Sequence, residues 1–598
     1  MSSLLLSAED LDFLLFDWLK VERLLDRPRF AAHDRETFCA SLDVYRRVAE
    51  EHFAPHNRSN DLNEPRMEGD CIVTNPPIAD ALRVFRELGL MSARLDYADG
   101  GMQLPEVIER AGAAWLQAAN PSTAVYPYLT IAGAALLRAH GSEAQIARYA
   151  RPMSEGRWFG TMCLSEPQAG SSLADLGTRA EPRDDGTWRL FGNKMWTSAA
   201  DHDLSENIVH LVLARLPEAP AGVKGISLFI VPKYLDNADG TLGERNDVVV
   251  AGLNHKMGYR GTTNCAFNLG EGAYRPLGEA GAIGHLVGEP HKGLAYMFHM
   301  MNEARISVGL GATALGYAGY LHSLDYARTR LQGRVSESGG AGTPQVPIIN
   351  HPDIKRMLLA QKSYVEGALA LNLCCAMLVD EAATAVDPQA RADANDILEV
   401  LTPVAKSWPS QWCLEANNLA IQIHGGYGYT RDYHVEQFYR DNRLNAIHEG
   451  TNGIQAIDLL NRKISGDGGV VFSKFTKVMR QTINSSRKDD NLIADLSALL
   501  SDQISLLERT TQDIISRGLR CERLDGASLY LEAFGHIIIA WIWLSQINAT
   551  YDRVDDFALG KRHAAEYFFR YELPFSTVKL NFLRNSAGFF ARAEPQHF

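Results

Sequence analysis

The chain has 598 residues, of which 46% are hydrophobic and 22% charged, a globular balance that excludes disorder as its main state. A net charge of −13 argues against a nucleic-acid partner, because an acidic protein without a basic patch repels phosphate. Eight cysteines without a CxxC pair or a Cys/His ladder indicate neither a disulfide scaffold nor a metal site, and they favour a reducing cytoplasm.

The first residues carry no basic region before their short apolar run, so they predict no targeting segment. The longest apolar run that could suggest a membrane-spanning segment, residues 537–544, is far shorter than the roughly 20 residues that span a bilayer. We therefore expect a cytoplasmic protein without stable membrane insertion.

Residues 1–157 are predicted to form an N-terminal helical domain, because their apolar residues recur at helical spacing. Ser7 is expected to cap the first helix through a capping box, and Pro28 to end it. The predicted helices cover residues 10–25, 36–54, 78–88, 104–119 and 131–140.

Residues 158–280 are predicted to form a middle β domain, because short segments rich in Val, Ile, Phe and Thr alternate there with Gly, Asp and Asn. The clearest strands are expected at residues 188–191, 208–214, 226–231 and 264–269, with another leading into the turn at 162–172.

Helices return in residues 281–465, a predicted helical bundle, and in 470–598, a predicted C-terminal helical domain. Residues 333–347 and 465–469 are rich in Gly and predict a mobile loop and a linker. The fold class is therefore mainly α with a middle β domain, and this element order argues against a doubly wound α/β domain. The long predicted helices cover residues 295–331, 351–383, 394–420, 492–515, 528–546 and 560–571.

Four segments carry residues suited to chemistry: 162–172, 192–198, 421–430 and 445–452. The first and second are strand ends with clustered hydroxyls, and the third is a Gly-rich loop after a helix, without dinucleotide-fingerprint spacing. In the fourth, Glu449 follows apolar residues, and a desolvated carboxylate suits a general base. Each segment alone also fits an ordinary turn, core packing of Trp196, or a helix N-terminal charge at Glu449.

Together, the four segments resemble those of the acyl-CoA dehydrogenase family. "CLSEPQAGSS" is similar to its flavin and substrate turn, "KMWTS" to its "KMWIT" strand, "IQIHGGYGYTRDY" to its dimer-interface flavin loop and "IHEGTNGIQ" to its "YEGT" segment. The resemblance covers about residues 80–465. The flanks resemble the longer bacterial members with an extra C-terminal helical domain, which include long-chain fatty acyl-CoA and 3-methylmercaptopropionyl-CoA dehydrogenases.

The resemblance implies a helical domain, a β-barrel-like domain and a helical bundle, with FAD between them and partly across a homodimer interface. Glu449 matches the catalytic base, and the family's second base position is Ala304 here, which excludes that alternative. Glu303, one residue earlier, is expected to be a surface or interdomain charge. The implied FAD-binding residues are Cys163, Leu164, Ser165, Ser171, Trp196, Thr197, Ser198, Arg330, Gln422, Gly425, Gly426 and Thr451. The implied substrate-binding residues are Ser171, Asn302, Arg305 and Gly450.

Three positions depart from the family pattern. His448 replaces the usual Tyr before the base, and we expect it to pack rather than to tune the base. Gly453 replaces a common Gln, which removes one expected flavin contact. The segment after Arg330, which matches the Arg at the FAD pyrophosphate, is one residue shorter than the family's motif.

The resemblance implies that Glu449 removes the α-proton of an acyl-CoA thioester while flavin N5 takes the β-hydride, giving a trans-2-enoyl-CoA for β-oxidation. A ribityl hydroxyl and the Glu449 N–H would polarise the carbonyl, and an electron-transfer flavoprotein would reoxidise FAD. The alternatives are an acyl-CoA oxidase, a non-catalytic DNA-associated flavoprotein on the same scaffold, and a flavin monooxygenase. The sequence leaves the acyl chain open, fatty or methylthio.

The apolar helix at 528–546 has three explanations. We favour a buried bundle core or a dimer contact. Otherwise the helix caps the FAD site or sets quaternary packing, or it associates with a membrane.

Overall fold

The computed structural model describes residues 3–237, 239–334, 344–466 and 468–598. The α-helices are α1 Ala8–Asp12, α2 Arg35–Val48, α3 Asn57–Leu62, α4 Pro77–Glu87, α5 Glu106–Ala119, α6 Pro121–His140, α7 Glu143–Gln145, α8 Arg151–Ser154, α9 Gly293–Thr329, α10 Pro352–Thr384, α11 Pro388–His424, α12 Val435–Asn442, α13 Asn452–Ile457, α14 Val470–Ser485, α15 Asn491–Ile515, α16 Arg520–Leu524, α17 Ala527–Ala549, α18 Asp556–Tyr567 and α19 Pro574–Asn585. The strands are β1 Arg66–Glu68, β2 Cys71–Val73, β3 Trp158–Cys163, β4 Arg179–Pro182, β5 Trp188–Ser198, β6 Asn207–Arg215, β7 Ile226–Pro232, β8 Tyr234–Asp236, β9 Leu242–Arg245, β10 Val248–Leu253, β11 Asn264–Leu269 and β12 Ala282–Leu286.

The chain divides into two compact units. The helical unit comprises Met1–Leu42, Pro105–Ala118 and Arg305–Phe598. The mixed unit comprises Asp43–Leu104 and Ala119–Ala304, and it contains every described strand. The first 42 residues are thus grouped with the bundle and the C-terminal helices, and the four-domain division of the sequence stays a prediction.

The strands of the mixed unit form a small barrel. β5 pairs with β12, β12 with β7, β7 with β6, β6 with β4, and β4 with β5, so the pairings close a ring. β3 runs parallel to β6 outside this ring, and β11 and β10 extend the sheet from β5. Buried side chains that include Leu190, Val212, Phe229 and Val231 fill the core, as alternation along strands requires.

The helical unit is built around α9, α10 and α11. Gly309 of α9 lies so close to α11 that a Cβ at this position would be 1.8 Å from the carbonyl oxygen of Ala405. Glycine is required there because any side chain would force the two helices apart. Gly316, two turns further along α9, meets Cys413 of α11 in the same way, at 2.7 Å. The small residues therefore fix a close helix crossing.

The C-terminal helices pack on the same bundle. In α17, Ile537, Ile538, Ile539 and Trp543 are fully buried, and the indole N–H of Trp543 donates to the carbonyl of Ser363 in α10 at 3.1 Å. The apolar segment at 528–546 is thus a core helix of its own chain, which agrees with the explanation that we favoured.

Two described helices, α10 and α17, are long and apolar enough to cross a membrane by length and composition alone. Their most apolar windows have mean hydropathies of 1.3 and 1.5, and 61% and 78% of these windows are buried within the protein. The apolar run at 537–544 lies in the middle of α17, which extends the helix predicted at 528–546 by one residue at its start and three at its end.

A buried charge cluster joins three of these helices to the N-terminus. Lys561 of α18 donates to Asp10 of α1 at 2.5 Å and lies 2.9 Å from a carboxylate oxygen of Glu366 in α10. Tyr317 of α9 donates to the other Asp10 oxygen at 2.9 Å. Burial raises the pKa of Asp10, whereas Lys362 and Lys561 hold the pKa of Glu366 below its ordinary value despite its burial.

Several predicted boundaries were wrong. The helix expected at 10–25 breaks after residue 18, because Lys20 has a left-handed backbone (φ 53°), and a 3₁₀ helix follows at Val21–Asp26. Ser7 caps α1 by accepting from the Asp10 N–H at 3.2 Å. Residues 121–130 were not expected to be helical but belong to α6. The strands β1, β2, β4, β8, β9, β10 and β12 were not predicted; β1 and β2 lie in the predicted N-terminal helical domain, and β12 in the predicted bundle. Most of the loop predicted at 333–347, and residue 467 of the linker, lie outside the described residues.

We predict that Lys561→Met lowers the free energy of unfolding by about 3–5 kcal/mol, because it leaves the buried Asp10 carboxylate without its hydrogen-bonded ammonium. Urea unfolding at neutral pH measures the change. The exposed Lys355→Met on α10 is the control and is expected to change stability by less than about 0.5 kcal/mol. Equal stability of the two variants would contradict the structural role of the cluster.

Candidate active site

Glu449 lies in a short loop between the 3₁₀ turn Arg443–Ala446 and α13. Its backbone is left-handed (φ 52°), and Gly450 continues this conformation (φ 84°). Non-glycine residues with such backbones are strained and concentrate at functional sites. The side-chain amide of Gln455 donates to the Glu449 carbonyl at 2.9 Å and holds the loop from the side of α13.

A chain of amide side chains holds this loop from its other end. Asn442 donates to a carbonyl of α9 at 3.0 Å and to Asn417 of α11 at 2.6 Å. Asn445 donates to Asn442 at 3.0 Å, and His448 Nε2 lies 3.1 Å from Asn445 Oδ1. The position of the residue before Glu449 is therefore fixed by the crossing of α9 and α11.

Electrostatics at Glu449 are set by burial and by two cations. Burial raises the pKa of the Glu449 carboxyl above its ordinary value, and the charges of Arg305 and Lys406 act against this increase. Burial, with a smaller effect of Lys406, lowers the pKa of His448 to about 3. His448 is thus neutral at physiological pH and adds no charge, which is consistent with a packing role.

The two cations differ in their partners. Arg305 of α9 donates to Asp458 at 2.9 Å, and both side chains are buried. Lys406 of α11 is fully buried, and its Nζ has no hydrogen-bond partner among the residues that the structure describes. Sequence reasoning missed Lys406 and Asp458. A single lysine inside the largely apolar stretch 400–408 was the available signal for the first.

The Gly-rich loop follows the end of α11. A Cβ at Gly425 or Gly426 would meet nothing within 4 Å, so the backbone there has open space before it. Gln422 is exposed on the preceding turn. The Arg330 guanidinium lies 5.6 Å from the ring centroid of Tyr427 in this loop. The structure therefore brings Arg330 to this loop.

In the mixed unit, one buried ion pair joins two predicted segments. Lys194 of β5 donates to Glu166 at 2.9 Å, and both side chains are fully buried. Glu166 also accepts from the N–H of Gly177 at 2.7 Å and from the N–H of Thr178 at 3.1 Å. Burial alone would raise the pKa of Glu166, but Lys194 and these hydrogen bonds lower it below its ordinary value. Sequence reasoning missed this pair.

The end of β5 presents an exposed aromatic side chain. Trp196 has a left-handed backbone (φ 61°) and is 61% exposed, so it is not the core residue that its type alone favours. Thr197 is buried, and the Ser198 hydroxyl accepts from Asn264 at 3.2 Å. Burial raises the pKa of the nearby Cys163 thiol to about 12, so this cysteine is not a reactive thiolate.

The remaining predicted residues of the mixed unit lie near these segments or on α9. Those that are half-buried or exposed are Leu164, Ser165, Ser171 and Asn302. The carbonyl of Ser165 accepts from the Met195 N–H at 2.9 Å, which links the turn to β5. Glu303 accepts from Arg94 at 3.3 Å and is a half-buried charge within its own unit.

Apart from Ser171 and Asn302, the predicted residues form three groups. One contains Arg305, Glu449, Gly450 and Thr451; Thr451 caps α13 by accepting from the Ile454 N–H at 3.4 Å. The second contains Arg330, Gln422, Gly425 and Gly426. The third, in the mixed unit, contains Cys163, Leu164, Ser165, Trp196, Thr197 and Ser198. Among the described residues, no three His, Cys, Asp or Glu are grouped to hold a metal ion.

Family models match most of the chain. Residues 161–270 match the acyl-CoA dehydrogenase middle domain, 291–464 the acyl-CoA dehydrogenase C-terminal domain, and 475–591 the acetyl-CoA dehydrogenase C-terminal-like domain.

The matches to two curated relatives cover most of the length of each relative. The chain is 39% identical over 468 residues to the 3-methylmercaptopropionyl-CoA dehydrogenase of Ruegeria pomeroyi, covering 78% of this chain and 77% of the relative. It is 32% identical over 603 residues to the broad-specificity linear acyl-CoA dehydrogenase FadE5 of Mycobacterium tuberculosis, covering 96% of each. The chain therefore belongs to the acyl-CoA dehydrogenase family. It is an oxidoreductase that dehydrogenates acyl-CoA thioesters.

Solved structures agree with the fold class. The acyl-CoA dehydrogenase of Bacillus anthracis complexed with FAD has a TM-score of 0.75 at 19% identity, covering 93% of this chain and 89% of its own. Caenorhabditis elegans ACDH-11 in complex with C11-CoA has the same TM-score and identity, covering 94% and 90%. These likenesses support the fold alone, and they confirm the predicted helical and β architecture.

We predict that Glu166→Gln lowers the free energy of unfolding by about 3–5 kcal/mol, because it leaves the Lys194 ammonium buried without a countercharge. Urea unfolding is the measurement. The double variant Glu166→Gln, Lys194→Met removes both charges and is expected to recover part of this loss. A double variant as unstable as the sum of the single variants would contradict the ion pair.

Proposed function

We propose that the protein catalyses FAD-dependent α,β-dehydrogenation of an acyl-CoA thioester to a trans-2-enoyl-CoA, with Glu449 as the base that removes the α-proton. The observation that carries this proposal is the setting of Glu449: a strained left-handed residue beside Gly450, with a carboxyl pKa raised by burial and opposed by two cations. A carboxylate whose pKa is raised toward neutrality is a stronger proton acceptor that still ionises near physiological pH.

The backbone at Glu449 also fits a role in activating the thioester. Among the described residues, the Glu449 N–H has no hydrogen-bond partner. A donor of this kind, aimed at the substrate carbonyl, stabilises the negative charge that develops when the α-proton leaves. One residue would then supply both the base and one donor to the enolate oxygen.

The residues present fit FAD. The open backbone at Gly425 and Gly426, with Gln422 and Arg330 beside it, suits the adenine and pyrophosphate portions. The exposed ring of Trp196 and the strand end around it suit a flat heterocycle. When bound, FAD supplies the two-electron oxidant for the hydride that leaves the β-carbon. We assign its contacts to Cys163, Leu164, Ser165, Ser171, Trp196, Thr197, Ser198, Arg330, Gln422, Gly425, Gly426 and Thr451.

Substrate contacts are assigned to Ser171, Asn302, Arg305 and Gly450. Relatives named for 3-methylmercaptopropionyl-CoA and for broad linear acyl chains support two substrate ranges. A panel of linear acyl-CoAs and the methylthio thioester, compared by kcat/KM, distinguishes them.

We predict that Glu449→Gln lowers the rate of flavin reduction by acyl-CoA at least about 10³-fold, because the amide cannot accept the α-proton. Anaerobic titration of the FAD-loaded protein with octanoyl-CoA, followed by the visible flavin band, measures the rate. The matched control is Glu303→Gln, which removes a half-buried carboxylate of the same type that is paired with Arg94. Rapid bleaching in Glu449→Gln, or its loss in both variants, would contradict the assignment.

We predict that kcat/KM falls on the acid side with a midpoint above the ordinary glutamate pKa of about 4.3, because Glu449 must be ionised and its pKa is raised. The free energy of unfolding also depends on the ionisation of the Glu449 carboxyl. A raised carboxyl pKa means that the folded state binds more protons, so stability falls as pH rises through this window. A midpoint at or below 4.3 would contradict the prediction.

We infer that an electron-transfer flavoprotein is the acceptor, that the enzyme is a homodimer, and that it works in the cytoplasm. All eight cysteines are free in the described structure, which suits a reducing compartment. Reoxidation of the substrate-reduced protein distinguishes the acceptors: fast reaction with oxygen would indicate an oxidase instead. Light scattering tests the dimer, and retention on heparin at low salt would favour the DNA-associated alternative.

A further inference from the structure

The charges around Glu449 form pairs, with one exception. Arg305 is paired with Asp458 at 2.9 Å, and Lys463 is paired with Glu399. Each of these cations has a carboxylate of its own. Arg305, whose charge has the larger effect on the pKa of Glu449, is therefore shared with Asp458.

Lys406 is the exception. Its side chain is fully buried on α11, and its ammonium has no hydrogen-bond partner in the described part of the chain. An ammonium that is buried without partners is costly, and such a group usually has a compensating charge nearby or becomes neutral. Glu449 is the anion whose charge acts on Lys406, and Lys406 acts on Glu449 in turn.

The helix crossing explains why the two cations act on the same carboxylate. The carbonyl of Ala405 meets Gly309 of α9, and Arg305 lies one turn before Gly309 on the same helix face. Lys406 follows Ala405 directly. The close approach of α9 and α11 therefore places the Arg305 turn and Lys406 at one crossing.

We propose that Lys406 is a positioning residue that adds its positive charge to that of Arg305 and so helps to keep the Glu449 carboxylate ionised in the substrate-free enzyme. The proposal rests on the function proposed above. In the proton-transfer step the α C–H bond breaks, an O–H bond forms on Glu449, and the electron pair passes to the thioester carbonyl. Lys406 neither gives nor takes a proton in this step.

Other titratable groups near Lys406 do not replace it. From the Glu449 loop, His448 is neutral because burial lowers its pKa to about 3. From α9, Arg305 opposes protonation of Lys406 and is itself paired with Asp458. Burial lowers the pKa of Lys406 to about 7, against the attraction of Glu449, so its charge is lost at alkaline pH. The charge of Arg305 acts on Lys463, and Lys463 is not among the charges that act on Glu449.

The test is Lys406→Met in the FAD-loaded enzyme, with Lys406→Gln as a second neutral variant should the first fail to fold. Removing the cation raises the pKa of Glu449, so the acid limb of kcat/KM is expected to move upward by about one pH unit. The alkaline plateau is expected to stay within a few-fold of the unaltered enzyme, because the base itself is intact.

Two further variants isolate the charge. Lys406→Arg keeps a cation at the site and is expected to return the acid limb toward its original position. Lys463→Met removes a neighbouring positive charge that is paired with Glu399. It is the matched control, and we expect it to leave the acid limb of kcat/KM unchanged. Infrared difference spectroscopy without substrate, with Glu449→Gln as the reference, follows protonation of the Glu449 carboxyl directly.

The outcomes separate this inference from the function on which it rests. An acid limb and an infrared titration of Glu449 that are unchanged in both neutral variants would overturn the role of Lys406, even if Glu449→Gln is inactive. A lowered plateau without any limb shift would also overturn it, because that result indicates packing alone. An active Glu449→Gln variant would instead overturn the function, while the infrared titration would still report whether Lys406 acts on Glu449.

Discussion

The close packing of α11 on both of its sides determines where the charged groups of the helical unit lie. On one side, Gly309 of α9 approaches a backbone carbonyl of α11 so closely that no side chain fits between them. On the other side, a Cβ at Gly535 of α17 would lie 2.5 Å from Trp408, which is two residues beyond Lys406. The C-terminal helices thus pack against α11 at Trp408. This gives the C-terminal domain a structural role in the helical unit.

Three fully buried lysines show how differently the fold treats a buried charge. Lys561 and Lys194 each donate to a carboxylate, and each joins segments that are distant in sequence. Lys406 makes no hydrogen bond among the described residues. A fully compensated buried pair is a structural link, whereas an uncompensated cation lowers stability and changes the pKa of whatever anion is near it. The difference in hydrogen bonding is therefore what separates the structural lysines from the one beside Glu449.

The long helices and the fold class could be predicted from the sequence, because helical periodicity is a local property that extends over many residues. The break at Lys20, the start of α6 at Pro121 and the strands β1, β2, β4, β8, β9, β10 and β12 could not. A left-handed residue that is not glycine has no sequence signature, and Pro127 inside α6 resembles a helix end. The short strands are defined by pairing in a closed ring, which joins residues far apart in the chain.

The candidate site likewise contains residues that could be predicted from the sequence and residues that could not. Segments of contiguous residues identified Glu449, the Gly-rich loop and the end of β5, because their composition and order are visible along the chain. Lys406, Asp458 and the Glu166 ion pair were missed, because each acts on a residue brought near only by folding. The pKa of Glu449 depends on burial and on two cations from α9 and α11, so its basicity belongs to the helix crossing rather than to its own segment. A substitution that widens this crossing would therefore change the proton affinity of Glu449 without touching the loop that carries it.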